Sequence, residues 1–395
     1  MSASAGGDPQ ALSMNILHVV ALVHASTGGP AFSVTRLASE QARLGHKVTL
    51  ATLRYEHLGP EVEAPGVRVL ALPGNLLAVH GRGWSPELAR MLRREAKGAD
   101  LVHNHGLWMW PNAYARAAAV AAGVPLVVSP RGMLDGWSLK RSRVKKTVAW
   151  WLFEKRNLNS AALFHATSDL EVRNIRARGL EQEIVVAPNG VDCPDLAARP
   201  GRQALEHKFP VLRGRKWIVF LSRLHPKKGL DVLLGAWSRQ ARRDQGVLVL
   251  AGSDLIGYGR ELEHLIAQLG VQDSVCLPGE MRGAEKDALM ANAEVFVLPS
   301  YSENFGLAIA EAMAWARPVI ASTATPWSEI AERGAGWWVP PEIGAVAGAL
   351  QEALSSSREK LQAMGCAGRA LVERNYTWPA AARTVTHAYA RVLAD

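Results

Sequence analysis

Two carboxylates, Glu303 and Glu311, interrupt the otherwise apolar stretch SENFGLAIAEAMAWARPVIAS at residues 302–322. An unpaired buried carboxylate costs several kcal/mol even after the protein relaxes around it. Each acid must therefore reach solvent or a ligand, or shift its ionisation. Residues 294–300 read as a short strand ending at a proline, 307–316 as a helix that stops before Arg317-Pro318, and 319–321 as the next strand. Glu303 then lies in the loop beyond a strand's carboxyl end, and Glu311 one turn into the following helix. Gly306 frees the backbone where that helix begins, and unpaired N–H groups at a helix start favour an anion such as a diphosphate. Two hydroxyl-binding acids around a phosphate-binding helix end match a sugar nucleotide.

The stretch FLSRLHPKKGLDVLL at 220–234 gathers Arg223, Lys227 and Lys228 on one loop after another strand. The planar fork of Arg and the point charge of Lys both suit a diphosphate. Standing alone, the loop would read as a solvated basic turn; it shares the carboxyl-end edge with Glu303, which favours ligand binding. The sequence holds no Asp-x-Asp motif, so these cations are expected to neutralise a leaving diphosphate in place of a metal. No metal and no other cofactor is expected. Near the start, HASTGGPAFSV at 24–34 follows a strand, and Gly28 and Gly29 would bring backbone N–H groups close to a phosphate or sugar. A plain turn explains the pair equally well. It is not G-x-G-x-x-G, so a nicotinamide cofactor gains no support.

Histidines and tryptophans meet in LVHNHGLWMWP at 101–111. His103 and His105 could be metal ligands, but no third ligand has a matching spacing, and satisfied structural histidines are the commoner outcome. His105, beside Gly106, is the better placed to reach a cleft, and Arg131 in VVSPRGMLDGW holds a similar position. Trp108 and Trp110 either line an acceptor pocket or fill a core. Gly252 and the turn Gly279-Glu280-Met281 end two further strands and could offer backbone groups to a nucleobase. WSLKRSRVKKTVAWWLFEKR at 137–156 combines Lys140, Arg141, Arg143, Lys145 and Lys146 with Val144, Val148, Trp151 and Leu152. The apolar four recur at i, i+4, i+7 and i+8, one helical face. Such a helix lies on an anionic membrane surface or packs on its own sheet with a solvated basic back.

The elements that must position these groups alternate regularly. Candidate strands at 16–23, 47–53, 67–72, 101–103, 125–128, 163–166 and 184–187 are separated by helical patterns, which means βαβ units and parallel sheets. The pattern breaks over 196–215, rich in Pro and Gly, and restarts with strands at 217–221, 247–251, 275–277, 295–298, 319–321 and 337–339. The expected organisation is a disordered start at 1–13, an acceptor-side domain at 14–195, a linker at 196–215, a nucleotide-binding domain at 216–376, and a terminal segment at 377–395. That last segment has no following strand and must dock on something already built. Two Rossmann-like domains would face each other across a cleft, with ligands outside the carboxyl ends of both sheets.

Composition sets the outer bounds. At 395 residues, two domains are the natural expectation, and 48% hydrophobic with 21% charged residues is globular rather than disordered. The net charge of +9 fits anionic substrates or a membrane surface; no nucleic-acid motif accompanies it, so nucleic acid is not an expected partner. Cys193, Cys276 and Cys366 are scattered and odd in number, which suits a reducing cytosol. The apolar run NILHVVALVHA reads as a buried strand, since it is short and lacks a basic leader. A cytoplasmic protein is expected, with at most peripheral contact at the cytoplasmic face of the inner membrane.

Taken together, these motifs resemble the retaining glycosyltransferases of family 4, which have the GT-B fold. The match rests on Glu303 and Glu311 separated by seven residues, SRLHPKKGLD, APNGVD at 187–192 and NYTW at 375–378. HGLW and SPRGMLDGW are similar to a subgroup found in bacterial exopolysaccharide and lipopolysaccharide assembly. The resemblance implies that Glu303 bonds hydroxyls of the donor sugar and that the backbone of Asn304, Phe305, Gly306 and Leu307 holds sugar and phosphate. It further implies that Glu311 binds the nucleotide's ribose, that Arg223 and Lys228 hold the diphosphate, and that Gly28 and Gly29 touch it from the first domain. The terminal helix would cross back onto that domain. Several relatives carry a histidine where this chain has Ser129-Pro130-Arg131-Gly132, which leaves the acceptor contact to Arg131 or His105.

The implied reaction moves a hexose from a UDP- or GDP-sugar to a hydroxyl of a glycan or lipid-linked acceptor, with retained anomeric configuration. Catalysis would be positioning plus electrostatic stabilisation of the leaving group. Two other classes fit the same motifs. A sugar-nucleotide epimerase would act without an acceptor, and a non-catalytic binding subunit would keep nucleotide affinity without turnover.

Overall fold

The structure, a computed structural model, describes residues 13–74, 82–140, 143–241 and 245–394. The polar start at 1–12 and Arg141 lie outside the described residues. Seven strands form the first sheet: β1 Asn15–Leu22, β2 Lys47–Arg54, β3 Arg68–Pro73, β4 Leu101–His105, β5 Leu126–Ser129, β6 Leu163–Ala166 and β7 Glu183–Val186. Six form the second: β8 Lys216–Leu221, β9 Gly246–Ala251, β10 Val275–Gly279, β11 Val295–Leu298, β12 Val319–Ser322 and β13 Gly336–Val339. All neighbouring strands within each sheet run parallel. Strands sandwiched between helices are buried on both faces and so read as continuous apolar runs; KWIVFL of β8 and GVLVLA of β9 are of this kind, buried nearly throughout.

Strand order locates the ligand crevice. The first sheet runs β3-β2-β1-β4-β5-β6-β7 and the second β10-β9-β8-β11-β12-β13. The order reverses beside β1 in one and beside β8 in the other. In open α/β sheets the crevice opens at such a reversal, outside the strands' carboxyl ends. The loops after β1, β4, β8 and β11 therefore flank the two crevices; they carry Gly28, Lys228 and Glu303, while His105 closes β4 itself.

Three departures from the sequence reading have physical causes. β4 runs on to His105 rather than ending at His103, so the two histidines project from the same face of one strand, as alternate residues must. The segment expected as a linker at 196–215 is not bare chain. It forms a helix at Gln203–Lys208 and sinks Leu205 and Leu212 into the second domain's core, while Arg202 stacks on the Trp217 ring at 4.3 Å. The helix after Glu303 spans Leu307–Ala314, shorter than the 307–316 expected.

The terminal helix, Trp378–Ala394, lies on the first domain. Trp378, Ala382, Val385, Ala388 and Tyr389 pack with Ile16, Leu37, Leu101, Leu163 and Val185 in one cluster. Its entry runs beside the chain leaving β7: the Val191 N–H donates to the Tyr376 carbonyl at 2.8 Å, and Val191 pairs with Thr377. Gly190 is required there, because a Cβ would stand 2.3 Å from the Trp378 nitrogen. Among the described residues no helix is long and apolar enough to cross a membrane.

Candidate functional site

The second domain contributes a compact charged group. Lys228 closes a 3-10 turn at Pro226–Lys228, and its Nζ pairs with Glu303 Oε1, each side chain 11% exposed. The Ser300 hydroxyl donates to the same oxygen at 2.8 Å. Burial pushes the Glu303 carboxyl up, but the Lys228 charge and hydrogen bond, the Ser300 hydroxyl and the Lys227 charge outweigh it, so the acid is held below the ordinary carboxylate range. It is a largely buried anion, held by Lys228 and Ser300. Gly306, at φ 80°, makes the left-handed turn into the helix Leu307–Ala314, and its carbonyl takes the Ile309 N–H at 2.8 Å. Phe305 is wedged between Trp327 and Tyr376, and its carbonyl accepts the Trp327 indole N–H. The Phe305 carbonyl is thus committed to the fold, so a ligand there would meet N–H groups. Glu311 pairs with Lys286 Nζ at 2.8 Å.

Contacts across the cleft bring both edges together. Arg223 is exposed and reaches the first domain: its Cδ would lie 3.5 Å from a Cβ placed on Gly28. Gly28, at φ 86°, caps the helix Gly29–Arg43, whose first residue is exposed. Asn304 crosses the other way. Its Nδ2 donates to Thr167 Oγ1 at 2.6 Å and Glu171 Oε2 at 3.2 Å, and its carbonyl accepts the Ser168 hydroxyl at 2.9 Å. Gly132 fits beneath it; a Cβ there would be 2.7 Å from the Asn304 side chain. Lys227 pairs with Asp135 at 3.2 Å and lies 5.2 Å over the Trp137 ring.

The first domain's side of the cleft rests on neutral imidazoles. Arg131, at φ 55°, donates from NH1 to Asn189 Oδ1 at 2.8 Å and from NH2 to His105 Nδ1 at 3.3 Å. Arginine only donates and the Gln41 oxygen only accepts, which fixes the tautomers between them. His105 Nε2–H donates to His18 Nδ1 at 2.8 Å, and His18 Nε2–H donates to Gln41 Oε1 at 2.7 Å. His103 meets Tyr389 of the terminal helix at 2.5 Å. Burial drives His18 down to about 4 and His165 to about 3, and holds His103 and His105 well below the usual range. Burial also lowers Arg131 to about 10, so at neutral pH it is the charged member.

This corrects the expectation for His105. It is 2% exposed and supports Arg131 from below instead of reaching the cleft. Ligand nitrogens of His18, His103 and His105 lie within 4.8 Å of one another, so the third histidine that spacing did not supply comes from β1, in register opposite His103. The Arg131 cation against His105 opposes a dication at that point.

Trp108 fills the core rather than the cleft. Its indole donates to the Met133 carbonyl at 3.3 Å, and its backbone N–H donates to Glu154 Oε2 at 2.6 Å. Burial raises Glu154 to about 7 against the hydrogen bonds of Asn157 and Trp108. Glu154 belongs to the helical run that begins at Arg143 and passes through a π turn at Trp150–Glu154. That run faces inward with Ala149, Trp150, Phe153 and Glu154. The row that periodicity selects, Val144, Val148, Trp151 and Leu152, is 78%, 53%, 69% and 62% exposed. The reading of that row as packed on its own sheet is overturned: a second apolar face, hidden among the aromatics, does the packing.

Asp135, Thr167, Glu171 and Lys286 were not singled out from the sequence. Asp135 had a usable signal, an acid in a glycine-flanked loop after a predicted strand; the others are distant in sequence from what they touch.

Residues 202–371 match the family described as glycosyl transferases group 1, and residues 28–190 the glycosyl transferase 4-like domain. A D-inositol 3-phosphate glycosyltransferase of Kineococcus radiotolerans is 31% identical over 75% of this chain and 73% of that protein. One from Nocardia farcinica is 28% identical over 98% of this chain and 90% of its own. Among solved structures, Anabaena HepE in complex with UDP and glucose superimposes with a TM-score of 0.78, at 20% identity, covering 96% of this chain and 100% of that one. Matching domains in both halves, and a relative this similar over most of its length, establish that this chain belongs to the family 4 glycosyltransferases and has their GT-B fold.

Proposed function

We propose that the enzyme is a retaining hexosyltransferase that takes a UDP- or GDP-sugar and glycosylates a hydroxyl of a glycan or lipid-linked acceptor in cell-surface polysaccharide assembly. The observation that carries this reading is the Lys228–Glu303 pair beside the helix start at Gly306, with Arg223 of the same domain reaching Gly28 across the cleft. Lys228 and Arg223 would hold the donor diphosphate, with Gly28 and Gly29 and the N–H groups of residues 304–307 completing the cradle. Glu303 would bind hydroxyls of the sugar and Glu311 the ribose. Names of similar proteins support such donors: one complex holds UDP and glucose, and a Mycobacterium tuberculosis relative, 29% identical, is GDP-mannose-dependent.

In this reading the bond from the anomeric carbon to the diphosphate oxygen breaks while the acceptor oxygen bonds to the same face. The acceptor's proton passes to a departing phosphate oxygen. Lys228 and Arg223 stabilise the charge that develops there, so no metal is needed. Arg131 lies on the acceptor side and His105 fixes it. We read the reaction as cytoplasmic, with peripheral contact at the inner membrane.

The test is a panel of nucleotide sugars with and without acceptor, scored for consumption, product anomer and binding. Retained configuration with acceptor-dependent turnover is expected, unchanged by chelator. Turnover without acceptor would make it an epimerase, and binding without turnover a binding subunit. With the donor found, Glu303→Gln should mainly lower kcat, since its bonds tighten as charge develops, and Glu311→Gln should mainly raise donor KM. Losing a hydrogen bond to a charged group is worth about 1.5–3 kcal/mol, so both effects are measurable. Unchanged kinetics in both variants would remove the donor-site assignment.

A further inference from the structure

A helical run from Arg143 to Asn159 stands on the first domain's outer edge with an apolar row turned to solvent. Val144, Val148, Trp151 and Leu152 are each more than half exposed, an arrangement that an ordinary surface helix avoids by turning such a row inward. The inward positions are already taken by Ala149, Trp150, Phe153 and Glu154. The row is flanked by charge of one sign: Arg143, Lys145, Lys155 and Arg156 are exposed, Lys155 lies 5.1 Å over the Trp151 ring, and the run's one acid, Glu154, is buried. Beneath the run is a cavity of about 250 Å³ lined by Trp108, Trp150, Arg143, Lys146 and Arg178, with Lys146 5.6 Å over the Trp108 ring.

We infer that this run is the face by which the enzyme docks on an anionic lipid bilayer. Trp151, Leu152, Val144 and Val148 enter the headgroup–acyl boundary, and a lipid phosphate occupies the cationic cavity beside them. Charge complementarity selects this partner. An apolar row ringed by cations, with no exposed acid on the run, suits an interface that is apolar below and anionic above. A second copy of the chain would have to bring those cations together. Position adds a consequence. Of the residues that line the cavity, Trp108 lies in the loop after β4 and Leu139 in the short helix Gly136–Lys140, which directly follows the loop that carries Gly132 and Asp135 at the cleft. A docked enzyme would therefore hold its acceptor side close to the bilayer; only this last step rests on the acceptor reading, and the test below does not use transfer.

Sedimentation with vesicles of equal parts phosphatidylglycerol and phosphatidylcholine, against phosphatidylcholine alone, measures the docking directly. Binding to the anionic vesicles is expected at low salt and should weaken as salt shortens the screening length. Trp151→Ser with Leu152→Ser should weaken it about tenfold or more, and Lys145→Ser or Lys155→Ser about fivefold each, all with an unchanged melting temperature because these side chains are exposed. Neutral vesicles should bind far more weakly. The inference is overturned by no binding to anionic vesicles at low salt, by equal binding to neutral ones, or by variants that bind as well as the parent. It is equally overturned if inorganic phosphate quenches the cavity tryptophans while vesicles do not bind. Sedimentation velocity showing a dimer that Trp151→Ser dissociates would assign the face to a second copy instead.

Discussion

The two walls of the cleft are built on opposite principles. The second domain meets it with paired charges, Lys228 with Glu303 and Lys286 with Glu311, set on short turns after β8 and β11 and on facing helices. The first domain meets it with backbone at Gly28 and Gly132, and with a guanidinium held by neutral imidazoles. One wall holds its charge through ion pairs that join neighbouring loops and helices of the same domain; the other holds it through a chain of hydrogen bonds from His105 through His18 to Gln41. A charged wall responds to loss of a single partner. A wall propped by neutral bonds should respond more gently.

The largest expected effect tests the charged wall. Lys228→Ala should lower transfer about 10²–10³-fold. Because it also leaves Glu303 buried without its cation, stability should fall by about 3–5 kcal/mol. Arg223→Ala should lose a comparable rate with an unchanged melting temperature, since Arg223 is exposed. Equal melting temperatures for the two variants would break the distinction.

Acidity gives the next contrast. Glu303 is depressed in the fold, so its stabilising share is present above the ordinary carboxylate range and is lost as pH falls through its lowered value. Glu154 is raised to about 7, so the folded state keeps a proton that the unfolded chain gives up. Stability should therefore decline as pH climbs from about 4.5 to 7, by up to roughly 3 kcal/mol. Glu154→Gln should flatten that decline in chemical denaturation across the same range, and a slope unaffected by the substitution would remove Glu154 as its source.

The smallest effect belongs to His105. It props Arg131 through one hydrogen bond, worth about 0.5–1.5 kcal/mol, so His105→Asn should cost about tenfold or less in kcat. A loss beyond about a hundredfold would put the imidazole in the reaction itself and erase the contrast between the walls.

Local signals explain how much of this was legible beforehand. Among the described residues thirteen strands form the two sheets, most of them followed by a helix, and each appeared in the sequence as an apolar run within a few residues of its place, because parallel strands covered by helices are buried. Glu303, Lys228 and Arg223 were legible because loops at strand ends gather them within a few residues of glycine or proline. The histidine cluster was not, since His18 joins His103 only when β1 and β4 pair in register. Asn304 was assigned by its backbone, whereas its side chain grips Thr167 and Glu171, more than a hundred residues away. The helical run after Arg143 carries two apolar faces, and periodicity found the wrong one to bury.

Consider again the place where the chain passes between the domains. It does so twice, at residues 190–192 and 376–378, and the two passages are bonded side by side through Val191 and Tyr376. A single covalent thread would act as a swivel, free to turn about any direction. Two threads fastened together act as a hinge with one axis, so domain motion is confined to opening and closing along a line that returns each edge to the same register. Were the cleft to open along that line, the bonds of Asn304 to Ser168 and Thr167 would re-form in the same register on closing. Cutting either passage alone would leave the halves tethered but release the swivel.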